Sequence, residues 1–245
     1  MRIAVSAVVT VALAGVVTVV IQAVSPDGRG NASQVKPLRE PTGPPHEDLR
    51  SEATQPNGKV VYLTFDDGPH AQHTEKVLDI LTQYRAKATF FQNGANAKRY
   101  PEITQRVHEL GHSVQNHAWS HRDLTTLSAQ ELLDEIARTD DMLGSLTGYV
   151  PKCLRPPYGA QNGAVTSQAA KLGKRVSLWD IDPEDWKQGR SASKIKEHVL
   201  KEVSPNEVIL LHDGGGDRSR TVAALPGILE ALKARGFTFK AMSCS

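Results

Sequence analysis

The fold class the sequence predicts is α/β, with parallel strands and helices packed outside them. Two observations predict it. From Lys59 onward, short apolar runs alternate with longer stretches whose apolar residues recur at helical spacing. Reactive Asp, His and Arg side chains then fall at the ends of successive apolar runs, and in parallel α/β folds the C-terminal strand ends share one face. Either an open sheet or a (β/α) barrel satisfies both.

Taken in order, the first strand is Val60–Phe65 and ends on Asp66 and Asp67. A helix over His73–Tyr84 leads to a strand at Ala88–Gln92, and a helix over Ile103–Leu110 leads to a third strand, Ser113–Asn116, closed by His117. Leu132, Ile136, Met142, Leu143 and Leu146 form the apolar stripe of a helix over Ala129–Leu146. The fourth strand, Cys153–Arg155, ends on Arg155; a helix over Gly163–Leu172 joins it to the fifth, Arg175–Ile181, which Asp182 and Asp185 follow. After a helix at Ser193–Val203, the strand Val208–Leu211 runs into His212. Leu225, Ile228, Leu229 and Leu232 mark the helix Thr221–Arg235, before a short strand at Phe237–Phe239.

Ahead of this domain the character of the chain changes twice. Ile3 to Val24 carries no charge and is broken only by Ser6, Thr10, Thr18 and Gln22. That run is long for the apolar region of a signal peptide, about 7–15 residues, and close to the ~20 that a membrane helix needs. Residues 1–24 are therefore expected to be a signal peptide or a single N-terminal membrane anchor, and either exports the downstream domain. Residues 25–57 are rich in Pro and Gly, as in Glu40-Pro41-Thr42-Gly43-Pro44-Pro45, and read as a disordered linker. Residues 58–245 are expected to form one folded domain, with an extracytoplasmic location.

Composition excludes several classes. With 29 Lys+Arg against 27 Asp+Glu in 245 residues, the chain has no strong basic field, so no nucleic-acid partner is expected. A mean hydropathy of -0.36 excludes a multi-span membrane protein. No protein partner is inferable.

The chemistry starts from His117 and His121, two imidazoles four residues apart, which a helical turn would set on one side. A carboxylate from the first strand end would complete a His₂-carboxylate set, which leaves coordination positions open for water and substrate. The adjacent Asp66 and Asp67 point different ways on a strand end, so one can bind metal while the other serves as a base, with Arg155 holding its charge. A plain turn also accounts for Asp66-Asp67-Gly68-Pro69. His70, His73, His108, His112 and His198 read as surface or structural residues, and Gly214-Gly215-Gly216 as a flexible rim loop, since it lacks the ending of a phosphate-binding loop.

Together these segments resemble a known family. Thr64-Phe65-Asp66-Asp67-Gly68-Pro69, His117-Ala118-Trp119-Ser120-His121, Arg155-Pro156-Pro157-Tyr158-Gly159, Asp182-Pro183-Glu184-Asp185-Trp186 and Leu210-Leu211-His212-Asp213 resemble, in order, the five motifs of the polysaccharide deacetylases, carbohydrate esterase family 4. The resemblance implies a distorted (β/α) barrel of about seven parallel strands and metal-dependent removal of N-acetyl groups from an N-acetylglucosamine-containing polysaccharide, peptidoglycan or a chitin-type oligosaccharide. Asp67, His117 and His121 would hold one divalent metal, Zn2+ or else Co2+ or another divalent ion. Asp66 would be the base, held by Arg155, and His212 the acid, tuned by Asp185. The backbone N–H of Tyr158 would face the oxyanion, and Trp186 and Leu210 would wall the acetyl methyl. The family's second motif often carries Ser or Thr where this chain has Ala118, which removes no ligand. Cys153 and Cys244, an even pair in an exported chain, are expected to form a disulfide, with two buried thiols as the alternative. Other readings are an acetylxylan esterase on the same site, a catalytically silent cell-wall sugar-binding protein, and a non-haem iron oxygenase, whose His₂-carboxylate set is similar.

Overall fold

The computed structural model describes residues 58–244, which lie within one compact unit. The expected leader at 1–24 and the linker at 25–57 lie outside the described residues. The first strand, β1 (Lys59–Asp66), sends Val61, Leu63 and Phe65 into the main apolar core, so its period of two leaves Thr64 and Asp66 on the other face. Alongside it run β2 (Ala88–Gln92), β3 (Ser113–Asn116), β4 (Cys153–Leu154), β5 (Arg175–Val176), β6 (Val208–His212) and β7 (Phe237–Phe239). The order is β5-β4-β3-β2-β1-β6, with β7 against the first half of β1, and every pairing is parallel. In β6, Ile209 and Leu211 enter the same core as Leu63 and Phe65. Leu210 and His212 therefore share the opposite face, in register with Thr64 and Asp66.

The helices are α1 (His73–Gln83), α2 (Gly94–Arg99), α3 (Pro101–Glu109), α4 (Ala129–Thr147), α5 (Gly163–Lys171), α6 (Ala192–Glu202) and α7 (Ser219–Ala234). Val77 and Leu81 of α1, Ile195 and Val199 of α6, and Leu225 and Leu229 of α7 close over the β1, β2 and β6 core. A second cluster joins Leu132 and Ile136 of α4 to Val165 and Ala169 of α5. The long helix α4 is well terminated: Ser128 and Glu131 form a reciprocal capping box, and Gly148 ends it at φ 71. This is the distorted (β/α) barrel that the resemblance implied. No helix among the described residues is long and apolar enough to cross a membrane.

Two differences from the expected elements have physical causes. Helix α2, with six residues, is too short to show a period in sequence. The fifth strand is shorter than expected, because the chain leaves the ladder after Val176 and Ile181 instead bridges Ile209 of β6. The carbonyls of Ser177 and Leu178 accept from the Arg155 guanidinium at 3.2 and 2.8 Å. The strand gives way to the residue at the barrel centre. Cys153 and Cys244 form a disulfide with Cα atoms 5.4 Å apart, tying the C-terminus to β4 beside Phe91.

Candidate active site

At the end of β1 the backbone turns left-handed, with Asp67 at φ 71, and the two adjacent carboxylates diverge. Asp66 faces Arg155, whose Nη1 donates to Asp66 Oδ1 at 2.7 Å and to Thr64 Oγ1 at 2.8 Å. Arg155 is fully buried, and its guanidinium lies 4.0 Å from the centre of the Phe91 ring. All three guanidinium nitrogens donate, so the charge is paired and its geometry fixed.

Asp67 faces the imidazoles. Its Oδ1 lies 3.3 Å from His117 Nε2 and 3.0 Å from His121 Nε2. Burial pushes the Asp67 carboxyl up, but the two imidazoles outweigh it and hold the group well below the usual carboxylate range. For His117, burial opposes the proton, yet Asp66 and Asp67 raise its affinity above that of an ordinary imidazole. His117 Nδ1 lies 2.7 Å from the carbonyl of Arg155, which can only accept, so Nδ1 carries a proton.

These residues fit a divalent cation. Ligand atoms of Asp67, His117 and His121 lie within 4.8 Å of one another. Asp67 Oδ1 is buried and accepts no hydrogen bond, an orphan that a cation would satisfy. The His117 Nδ1–carbonyl bond is the usual support that orients an imidazole ligand. The two His do not share a helical turn. They lie in a loop with Ala118 at φ 61 and His121 at φ 59, so the expected helical spacing is corrected to a left-handed loop.

Across the β1–β6 register from Asp66 stands His212. Its Nδ1 is 2.7 Å from Asp185 Oδ1, while Asp185 Oδ2 accepts from His212 N at 2.9 Å and Thr221 Oγ1 at 2.7 Å. Burial works against a charged imidazole here, but Asp185 prevails and His212 is pushed up to about 9. Tyr158, left-handed at φ 62 and 70% exposed, sets its ring edge-on to His121 at 4.7 Å. Asp67, Asn93, Asn96, Trp119, His121 and Tyr158 are among the residues lining a cavity of about 410 Å³. Leu210 and Trp186 do not line it: Leu210 is buried on the His212 face, and Trp186 is half exposed with Nε1 3.3 Å from Asp182 Oδ2.

Several supporting residues have no role assigned by the sequence pattern, or a different one. Asn93 Nδ2 donates to His117 O at 2.8 Å and Asn96 Nδ2 to Asp67 O at 2.9 Å, both from the unexpected α2 or its cap. Glu135 of α4 receives hydrogen bonds from Trp119 and Ser120. Asp213 is fully buried beneath the Asp66–Gly68 turn; burial pushes its carboxyl up to about 7, although Thr74 Oγ1 donates to it at 2.6 Å. The triple glycine is not a free rim loop. A Cβ at Gly214 would stand 2.1 Å from Asp67 O and one at Gly215 2.3 Å from Asp67 Oδ2, so close approach to Asp67 demands glycine. His112 is structural: Nδ1 accepts from Ala88 N at 3.1 Å, and burial pushes it down to about 4.

With this geometry in place, comparison with known proteins is informative. The model of the family described as polysaccharide deacetylase matches residues 53–177. The chain belongs to the polysaccharide deacetylase family. A peptidoglycan-N-acetylmuramic acid deacetylase of Bacillus subtilis is 42% identical over 173 residues, which are 69% of this chain and 36% of that protein. A peptidoglycan-N-acetylglucosamine deacetylase of Bacillus cereus is 39% identical over 189 residues, 76% of this chain and 88% of that protein. The solved structure of a peptidoglycan deacetylase from Bacillus subtilis matches with a TM-score of 0.70 at 39% identity, covering 76% of this chain and 89% of the other. The chain thus spans about a third of the length of the first of these deacetylases, and most of the second.

Proposed function

We propose that this chain is a metal-dependent deacetylase that removes N-acetyl groups from N-acetylglucosamine residues of a cell-wall or chitin-type glycan. The observation that carries the reading is the orphaned, buried Asp67 Oδ1 facing two imidazole nitrogens, one strand residue away from the Asp66–Arg155 pair. Asp67, His117 and His121 would hold the ion, Zn2+ by the chemistry of the donors. Bound there, a divalent cation acidifies water and polarises an acyl carbonyl.

The other steps fall to the chain's own groups. Arg155 occupies Asp66 Oδ1, which leaves Oδ2 to take the proton of the attacking water. The backbone N–H of Tyr158 stabilises the oxyanion that develops on the acetyl carbonyl. His212, charged at neutral pH because Asp185 holds it near 9, donates its Nε2 proton to the departing amine. Trp186 and Leu210 stand outside the cavity, and they would meet the methyl group only from the His212 side, where Leu210 shares a strand face with His212.

The cavity's lining supports an uncharged hexosamine. Beside Asp67 and His121 it offers amides, hydroxyls and aromatic rings, and no Lys or Arg is among its residues. The lactyl carboxylate of N-acetylmuramic acid would want such a cation. The peptidoglycan deacetylases among the relatives support a wall glycan as substrate. With an exporting segment at 1–24 and a tether at 25–57, the catalytic domain would act outside the cytoplasm, secreted or anchored.

Acetate release by the full chain from peptidoglycan, chitin oligosaccharides and acetylated xylan tests the reading. Release from an N-acetylated glycan, lost on chelation and in Asp66→Asn, is the expected result. Release from xylan alone would replace the substrate with an O-acetylated one, and no release with metal bound would make the chain a binding protein.

A further inference from the structure

Between the two imidazoles runs Ala118-Trp119-Ser120, a stretch without regular structure in which Ala118 at φ 61 is followed closely by His121 at φ 59. Left-handed backbone at such residues persists only where the surroundings over-determine it. Here every polar backbone group from Ala118 N to Ser120 N has a partner. Ala118 N donates to Asn116 Oδ1 at 2.8 Å, and Asp140 Oδ1 accepts from Asn116 Nδ2 at 2.8 Å, which fixes the orientation of that amide. The carbonyls of Ala118 and Trp119 accept from Gly94 N and Ala95 N at 3.0 and 3.1 Å. Trp119 N and Ser120 N both donate to Glu135 Oε2 at 2.9 Å, and Ser120 Oγ donates to Glu135 Oε1 at 2.6 Å.

Glu135 is 8% exposed, and no Lys, Arg or His among the described residues forms an ion pair with it. A buried carboxylate without a counter-ion is costly. Its compensation comes from three donors, and all three belong to this loop. The two rings flanking the loop are supported differently. His117 is pinned through Nδ1 by the Arg155 carbonyl. The His121 ring has no hydrogen bond to Nδ1 among the described residues; its ring contacts are edge-on, to His117 and to the exposed Tyr158. Apart from the 3.0 Å approach of its Nε2 to Asp67 Oδ1, the His121 ring is placed by the backbone just ahead of it, which Glu135 holds at Trp119 and Ser120.

We propose that Glu135 is a positioning residue that sets His121 in the ligand set and thereby tunes metal affinity. This rests on the reading of Asp67, His117 and His121 as ligands. The test is the Zn2+ dissociation constant of the full chain, measured by competition with a chromophoric chelator, with the Co2+ absorption spectrum as a report on coordination. Glu135→Leu, which removes every acceptor, should weaken Zn2+ binding by about 10–100-fold and alter the Co2+ spectrum. Glu135→Gln should bind nearly as the native chain does, since its Oε1 can still accept both N–H groups and its amide can donate to Ser120 Oγ. Ser120→Ala deletes one hydrogen bond at a partly buried residue and should cost roughly three- to tenfold, so it serves if Glu135→Leu does not fold. The melting temperature in excess chelator separates affinity from general stability. Unchanged Zn2+ binding in Ser120→Ala together with a folded Glu135→Leu, or in Ser120→Ala alone if Glu135→Leu is unfolded, overturns the proposal. A native chain that binds no Zn2+ overturns the ligand set itself.

Discussion

Two aspartate–histidine clusters stand at strand ends on the same side of the barrel, and they differ in completeness. Around Asp185 every partner is present: Oδ1 meets His212 Nδ1, and Oδ2 takes two further donors. Around Asp67 two imidazoles approach Oδ1 at 3.3 and 3.0 Å, yet this buried oxygen accepts no hydrogen bond. The residue types are the same. What separates a proton-holding pair from a ligand set is whether the polar atoms are satisfied without an added ion.

Removing the metal should break that contrast most strongly. Chelation is expected to lower acetate release by roughly 10⁴-fold or more, because water loses a pKa shift from 15.7 to about 7. Zn2+ should restore it. The imidazole titration of His212, followed by NMR in the chelated protein, should lie near 9, since Asp185 pairs with it without any ion. A collapse of that titration on chelation would mean that the two clusters act as one. Next in size is His212→Gln, expected to lower kcat by about 10²–10⁴-fold with Zn2+ affinity unchanged. A large loss of Zn2+ affinity in this variant would move His212 into the ligand set.

The same contrast explains which features are legible in the sequence. Strand-end positions of Asp66, Asp67, His117, Arg155 and His212 follow from apolar runs that stop abruptly, a signal that survives in one dimension. The loop between His117 and His121 does not, because its left-handed backbone depends on Glu135, Asn116 and α2, none of them marked by spacing. The fifth strand falls short of its expected length for a related reason. The run Arg175–Ile181 reads as a ladder strand, but the carbonyls of Ser177 and Leu178 are taken by the buried Arg155, a demand visible only in three dimensions. Gly214 and Gly215 read as flexibility in sequence and prove to be clearance for Asp67.

The smallest effect sharpens the comparison further, because it isolates the complete cluster. Asp185→Asn keeps the shape of the partner and removes the charge that outweighs burial at His212. The alkaline limb of kcat/KM should move down by roughly one unit as His212 loses that charge, while activity at neutral pH changes by less than about twofold, because an imidazole about one unit below 9 is still mostly protonated there. Stability should move with it. A His whose pKa is raised on folding contributes stability that is fully present below its unfolded value of about 6.5 and lost as pH rises through the folded value. For His212, raised to about 9, that contribution is on the order of 3 kcal/mol, so native urea midpoints should fall between about pH 6 and pH 10. In Asp185→Asn the midpoint should fall less over the same range. Equal slopes in the two proteins would show that His212 draws its proton affinity from Asp66 and Asp67, the other carboxylates that raise it, and that the complete cluster depends on the incomplete one.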